Sequence, residues 1–153
     1  MAGPTLIDVL ANAAFYYGVI RKLASDDRPI WSKMSFAAAE QNFHNAARDG
    51  IESRLYWPGF GEVRAEELVL RHLLPMAHEG LADWGVSQAV CDRYLSVIEG
   101  RCKTSTNGAT WQTDAVERFE GAGMDRHKAL AEMLRLYAKH MHSNEPVHTW
   151  PLP

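Results

Sequence analysis

An all-α fold is predicted for this chain: a helical bundle of about five to six helices with one short extended or turn segment. Apolar residues recur at helical spacing through most of its 153 residues, and the connections between these runs are short. A chain of this length buries enough surface for its own core, so we expect a single helical domain. The predicted organisation is two helices in residues 1–50, an extended turn segment in 51–64, further helices in 65–142 and an irregular tail in 143–153.

The first two helices have recognisable ends. Thr5 followed by Asp8 has the form of a capping box, and the apolar periodicity after it continues to about Ser25. Ser35 is a suitable N-cap for the second helix, and Gly50 is a suitable C-terminal stop. The aromatic stretch that follows is interrupted by proline and glycine, which favours an extended segment with a tight turn.

The second group of helices begins near Ala65. A long helical pattern runs from there to about Trp84 and contains Pro75, which should kink the helix or split it in two. Ser87 is placed to cap the next helix. The polar stretch from Lys103 to Gly108 predicts a loop after it.

Two further helices complete the predicted bundle. One runs from about Ala109 to Gly121, and Asp125 is placed to cap the last one, whose apolar face extends to Met141. The remaining residues contain three prolines and cannot continue a helix.

Composition argues against several classes of function. The formal net charge of −3 and scattered Lys and Arg residues do not suit a nucleic-acid-binding protein. No apolar stretch approaches the ~20 residues that span a bilayer, and residues 1–10 lack the order of a signal peptide, so we expect a cytoplasmic protein. Cys91 and Cys102 share one predicted helix about 16 Å apart along its axis, too far for a disulfide.

No strong catalytic or metal-binding motif is present. His140, His142 and His148 lie close together in the sequence, but residues two apart point in different directions on a helix, so we expect no metal site. A solvated helix end explains these histidines better. The loop from Thr104 to Gln112 precedes a helix start, and its amides are candidates for binding an anion, although an ordinary helix connection has the same composition.

The most specific segments are QNF followed by AAR-x-G, from Gln41 to Gly50, and NGA-x-WQ, from Asn107 to Gln112. Together with GPTLIDVLANAAFYYGVIRKLA at the start, LVLRHLLPMAHEGL in the middle and EPVHTWPL at the end, they resemble the last third of bacterial glutamate-cysteine ligases and related carboxylate-amine ligases. The actinobacterial branch is the most similar. The resemblance extends over essentially the whole chain.

The resemblance implies an ATP- and magnesium-dependent enzyme that phosphorylates the γ-carboxylate of glutamate, after which an amine attacks the activated carboxyl group. It also implies a fold like that of glutamine synthetase, in which a sheet in the preceding half holds the metal and nucleotide. This chain is then the C-terminal helical portion. We expect ATP and Mg²⁺ to bind to the complete enzyme and neither of them to bind to this chain alone.

Few family positions have a counterpart here, and none is assigned as catalytic. The resemblance implies a substrate-binding wall in which Arg48 pairs with an acidic group and the loop supplies neutral hydrogen bonds. The predicted substrate-binding residues are Asn42, Arg48, Asn107, Gly108 and Gln112.

Three interpretations remain open at this point. The chain is a ligase fragment or a subunit of a split ligase that needs an N-terminal catalytic half and an amino-acid substrate. Alternatively it is a stand-alone helical interaction module, or a metal-binding protein that uses its terminal histidines. We expect no nucleic-acid or membrane partner, and an uncovered apolar surface makes a homo-oligomer possible.

Overall fold

The computed structural model describes residues 3–153 and confirms the all-α prediction. Two short antiparallel strands form a hairpin, and all other regular structure in the described residues is helical. No helix in this part of the chain is long and apolar enough to cross a membrane. The helices are α1 Leu6–Ala24, α2 Phe36–Asp49, α3 Ala65–Leu68, α4 Leu74–Asp83, α5 Gln88–Thr104, α6 Gly108–Gly121 and α7 Arg126–Ser143, and the strands are β1 Arg54–Trp57 and β2 Gly61–Arg64.

Most of the predicted helix starts are confirmed. The capping box of Thr5 and Asp8 forms at α1, and the Ser35 and Asp125 side chains accept backbone hydrogen bonds at the starts of α2 and α7. Ser87 occupies the N-cap position of α5, as predicted, although its side chain makes no capping hydrogen bond. The predicted loop also begins too early, because Lys103 still lies within α5.

The predicted interruption at Pro75 takes the form of a π-helical stretch over Val69–Leu73, which joins α3 and α4 into one continuous helix. Pro75 lies in the first turn of α4. A proline there has no N–H to leave unbonded, and the wider π turn before it accommodates the ring. The helix therefore changes its winding and does not break.

The helices enclose two separate apolar cores. The first lies between α1, α4 and α5. There Gly18 and Gly80 let α1 and α4 approach closely, since a Cβ atom on Gly80 would lie 2.0 Å from the Gly18 carbonyl oxygen. The second core lies between α6, α7 and the C-terminal tail, and its centre is the fully buried Trp111.

The tail is irregular, as predicted, yet it is a structural part of the second core. A 3₁₀ turn over Val147–Thr149 buries Val147 completely, and Trp150 is only 6% exposed. Trp150 contacts the edge of Trp111, and the imidazole of His140 stacks on it with ring centroids 5.2 Å apart.

A buried polar network joins the two cores. The Asp8 carboxylate forms an ion pair with Arg101 at 2.6 Å, and it accepts hydrogen bonds from the Thr5 hydroxyl at 2.8 Å and the Val147 N–H at 3.3 Å. Arg101 also donates to Asn12 at 2.6 Å. The network therefore connects α1, α5 and the tail through a single carboxylate.

Both cysteines are buried free thiols, which agrees with the predicted absence of a disulfide between them. Burial raises the pKa of the Cys102 thiol to about 11. Little of it is therefore ionised at neutral pH, and a thiol without thiolate character is a poor nucleophile.

The first prediction concerns the buried ion pair. Asp8→Ala should lower the free energy of unfolding by about 3–5 kcal/mol, because it leaves the Arg101 guanidinium buried without a counter-charge. Urea denaturation followed by circular dichroism measures this. Glu99→Ala is the control, since it removes an exposed ion pair with Lys103 and should cost less than about 1 kcal/mol. Equal losses in the two variants would contradict the assigned role of Asp8.

The second prediction concerns pH. Burial lowers the pKa of His148, Arg101 lowers it further, and Asp8 opposes the shift. Burial also lowers the pKa of His140. The unfolded chain therefore binds protons more readily than the folded chain as the pH falls below about 6.5. The contribution of these two histidines to the free energy of unfolding should be fully present above that pH and should decrease below it.

Thermal unfolding between about pH 5 and 8 tests the sign of this dependence. His148→Phe should flatten it, because the buried Nδ1 atom has no hydrogen-bond partner among the described residues and a phenyl ring does not titrate. His127→Phe, at an exposed position of α7, is the matched control. Stability that rises on acidification would contradict this assignment.

Candidate functional site

A cleft of about 330 Å³ lies where the end of α2 meets the start of α6. One wall is the end of α2 and the 3₁₀ turn Gly50–Glu52 that follows it, and the other is the connection from α5 to α6 with the first turns of α6. Its lining residues are Ala47, Arg48, Asp49, Gly50, Ile51, Glu52, Ser105, Asn107, Ala109, Thr110, Thr113 and Asp114.

Left-handed backbone at two helix ends shapes this cleft. Gly50 ends α2 with φ +56°, a conformation that glycine adopts without a Cβ penalty. Ser105 ends α5 in the αL region with φ +50°, where a residue other than glycine is uncommon. Both turns redirect the chain, so that residues far apart in sequence face each other across the cleft.

Arg48 lines the cleft with its guanidinium already engaged. It forms two hydrogen bonds of 2.8 Å to the carboxylate of Asp49, and these bonds lower the pKa of Asp49. The pair is largely solvent-exposed. Arg48 therefore presents a neutralised ion pair to the cleft, and any substrate carboxylate must share it with Asp49.

Asn107 lies on the opposite wall as the N-cap of α6. Its Oδ1 atom accepts from the N–H groups of Ala109 at 2.8 Å and Thr110 at 3.0 Å. The amide nitrogen lies 3.9 Å from the position that a Cβ atom on Gly50 would occupy. The helix therefore uses the oxygen of Asn107, and the nitrogen faces the other wall of the cleft.

Gly108 and Gln112 shape the first turn of α6 and do not line this cleft. A Cβ atom on Gly108 would lie 2.8 Å from the Pro4 ring, so glycine permits close packing there. The Gln112 amide donates to the Gly108 carbonyl at 2.8 Å. Gln112 lies beside a second cleft, between α6 and α7.

Asn42 does not line the cleft and instead hydrogen-bonds to the hairpin. Its side chain donates to the Tyr56 carbonyl at 2.8 Å and accepts from the Tyr56 N–H at 2.7 Å. The neighbouring Asn45 donates to the Arg54 carbonyl at 3.0 Å. Of the five predicted site residues, the structure brings Arg48 and Asn107 together in one cleft.

The carboxylates of the cleft were not among the residues predicted from the sequence. Asp49, Glu52 and Asp114 line it together with a single cation, Arg48. Asp114 follows Asn107 by seven residues, about two helical turns, so the two share a face of α6. This seven-residue spacing is the sequence signal that could have indicated Asp114 as a neighbour of Asn107. The cleft carries an excess of negative charge and suits a ligand with an ammonium group.

The terminal histidines do not converge. His140 stacks on Trp150, while the His148 ring lies against Gly100, where a Cβ atom would be 2.3 Å from Nε2. Among the described residues no group of three or more His, Cys, Asp or Glu side chains is arranged to hold a metal ion.

A larger cleft of about 410 Å³ lies between α4 and α5. It is lined by both apolar and polar side chains, including Leu74, His78 and Asp92, and contains none of the five predicted site residues. The smaller cleft is the better candidate because two segments distant in sequence supply its polar groups. No family model, curated protein or solved structure matches this chain.

The third prediction concerns Asn107. Asn107→Ala should lower the free energy of unfolding by about 1 kcal/mol, because it removes the N-cap of α6. Asn107→Asp keeps the capping oxygen and should retain most of the stability while it changes the charge of the cleft. Thermal unfolding of both variants measures the difference. Equal destabilisation by both substitutions would show that the oxygen cap is not the source of the effect.

Proposed function

We propose that this chain is the C-terminal helical portion of a carboxylate-amine ligase of the glutamate-cysteine ligase type and that its cleft binds the amine substrate. One observation carries the proposal. The two segments on which the resemblance most depends, Gln41 to Gly50 and Asn107 to Gln112, contribute Arg48 and Asn107 to the same cleft. Segments that are distant in sequence and meet at a polar cleft favour a shared binding function.

The charge of the cleft indicates which substrate it takes. Asp49 is neutralised by Arg48, so Glu52 and Asp114 remain to attract a cation. An amino acid offers an ammonium group to these carboxylates and a carboxylate to the Arg48–Asp49 pair and the Asn107 amide. In this arrangement the chain's own residues bind the amine and orient its nitrogen.

The cleft does not fit a magnesium nucleotide. Its single guanidinium is already paired, and three carboxylates line it, which disfavours a polyphosphate. In the proposal, ATP and Mg²⁺ therefore belong to an N-terminal catalytic half on the same or a separate chain.

The exposure of α2 supports the proposal that another polypeptide covers this helix. Its inward side carries Asn42 and Asn45, which bond the hairpin, and none of its residues is buried. Its apolar side faces solvent, with Phe36 83% and Phe43 71% exposed. Trp31, just before the helix, is 79% exposed. An amphipathic helix with its apolar side outward is typical of a surface that another polypeptide covers.

The same exposed surface favours the second candidate function, a stand-alone helical interaction module. In that case the apolar side of α2 binds a partner, and the cleft has no substrate. The two candidates differ in what Asp114 does, because it lines the cleft and does not belong to the exposed apolar surface.

The fourth prediction tests the proposal. The purified chain should release no glutamate-dependent ADP from ATP, Mg²⁺, glutamate and cysteine. Adding the separately expressed N-terminal half of an actinobacterial glutamate-cysteine ligase should restore turnover, and Asp114→Asn should then raise the KM for cysteine about tenfold. The KM for ATP should not change.

Glu117→Gln is the matched control, since Glu117 lies on the same helix but lines the other cleft. It should leave both KM values unchanged. Turnover by the chain alone would refute the need for a partner half. Restored turnover with an unaltered KM for cysteine in Asp114→Asn would refute the assignment of the cleft, and association without turnover would favour the interaction module.

A further inference from the structure

The hairpin has one closed edge and one open edge. On the outer edge of β1, the side chain of Asn42 satisfies both backbone groups of Tyr56, and Asn45 satisfies the Arg54 carbonyl. These asparagines occupy the place of a neighbouring strand, so both backbone groups of Tyr56 and the carbonyl of Arg54 already have partners.

The register of the hairpin shows which backbone groups of β2 point outward from the outer edge. In an antiparallel pair, residues alternate between those that bond each other and those whose N–H and C=O groups point away. The outward bonds of Tyr56 and Arg54 place both residues in the second class, and their partners across the hairpin are Glu62 and Arg64. The N–H groups of Glu62 and Arg64 therefore point away from β1. No described residue accepts a hydrogen bond from either of them.

We propose that the open edge of β2 binds the same edge of a second copy of this chain, forming a four-stranded antiparallel sheet about a two-fold axis through Val63. The strand is self-complementary in charge. In this register Glu62 of each copy lies directly opposite Arg64 of the other, and the outward backbone groups of these two residues face each other. Opposite charges in directly paired positions stabilise antiparallel strands.

The charges within one copy favour this arrangement. Arg54 and Arg64 are directly opposite in the hairpin, an unfavourable pair. Within one copy Arg64 pairs with Glu66 at 3.0 Å, and the Glu62 carboxylate of a second copy would add a further opposite charge beside the two guanidinium groups. Glu62 is only loosely held by Arg54, at 3.8 Å, and its side chain is 73% exposed. A register that places Glu62 opposite Glu62 is disfavoured by like charge. The interface is small and belongs with transient contacts below about 1,200 Å².

Nuclear magnetic resonance and sedimentation of the intact chain up to about 1 mM test the proposal, a range suited to a contact of this size. The amides of Glu62 and Arg64 should shift with concentration, and sedimentation should show a dimer. Glu62→Pro removes an N–H that the hairpin does not use and should abolish the dimer, whereas Glu62→Gln keeps the N–H and should only weaken it.

Charge reversal provides the decisive comparison. Glu62→Arg alone or Arg64→Glu alone places like charges opposite each other twice and should weaken the dimer about tenfold or more. An equimolar mixture of the two variants restores opposite charges at both pairs and should recover a heterodimer. Circular dichroism confirms that each variant folds.

Phe43→Ser separates this contact from association through α2, and it should leave the dimer unchanged. A chain that stays monomeric at about 1 mM would overturn the proposal. A dimer that ignores the charge reversals or is lost in Phe43→Ser would also overturn it. If the two amides are protected only when an N-terminal ligase half is added, the edge belongs to that partner and not to a second copy.

Discussion

The ion pair between Asp8 and Arg101 is the constraint on which the arrangement of this protein depends. A buried carboxylate is costly unless charge and hydrogen bonds surround it. Here a hydroxyl from its own helix, a guanidinium from α5 and an N–H from the tail supply them. Because those donors come from three separate segments, satisfying one charge fixes the relative position of the two cores.

The cleft depends on the same constraint. α5 ends at Thr104, three residues after Arg101, with Ser105 as its C-cap, and the chain then enters α6 through Asn107. Gly108 packs against the Pro4 ring, just before the capping box that contains Asp8. The wall that carries Asp114 is therefore positioned by contacts near both ends of the ion pair. The opposite wall belongs to α2, which bonds the hairpin through its two asparagines.

Much of this fold follows from local sequence signals, whereas the site depends on pairings that such signals do not contain. Capping residues and helical periodicity predict where helices begin and end, because both act within a few residues. Asp8 fits a capping box, but its ion-pair partner Arg101 is 93 residues further along the chain. The tail around Val147 is rich in proline and polar groups, so nothing local predicts its burial. The resemblance selected Arg48 and Asn107 for the cleft, yet Asn42 and Gln112 serve local structure.

Synthesis on the ribosome gives the tail a further consequence. Val147 completes the hydrogen bonding of Asp8 and follows it by 139 residues. At elongation rates of about 5–20 residues per second, the carboxylate waits roughly 7–28 s for this last donor. During that time α1 holds a charge that its surroundings have not yet fully compensated. Of the helices described here, α1 is therefore made before the others and yet is among the last to reach its final environment.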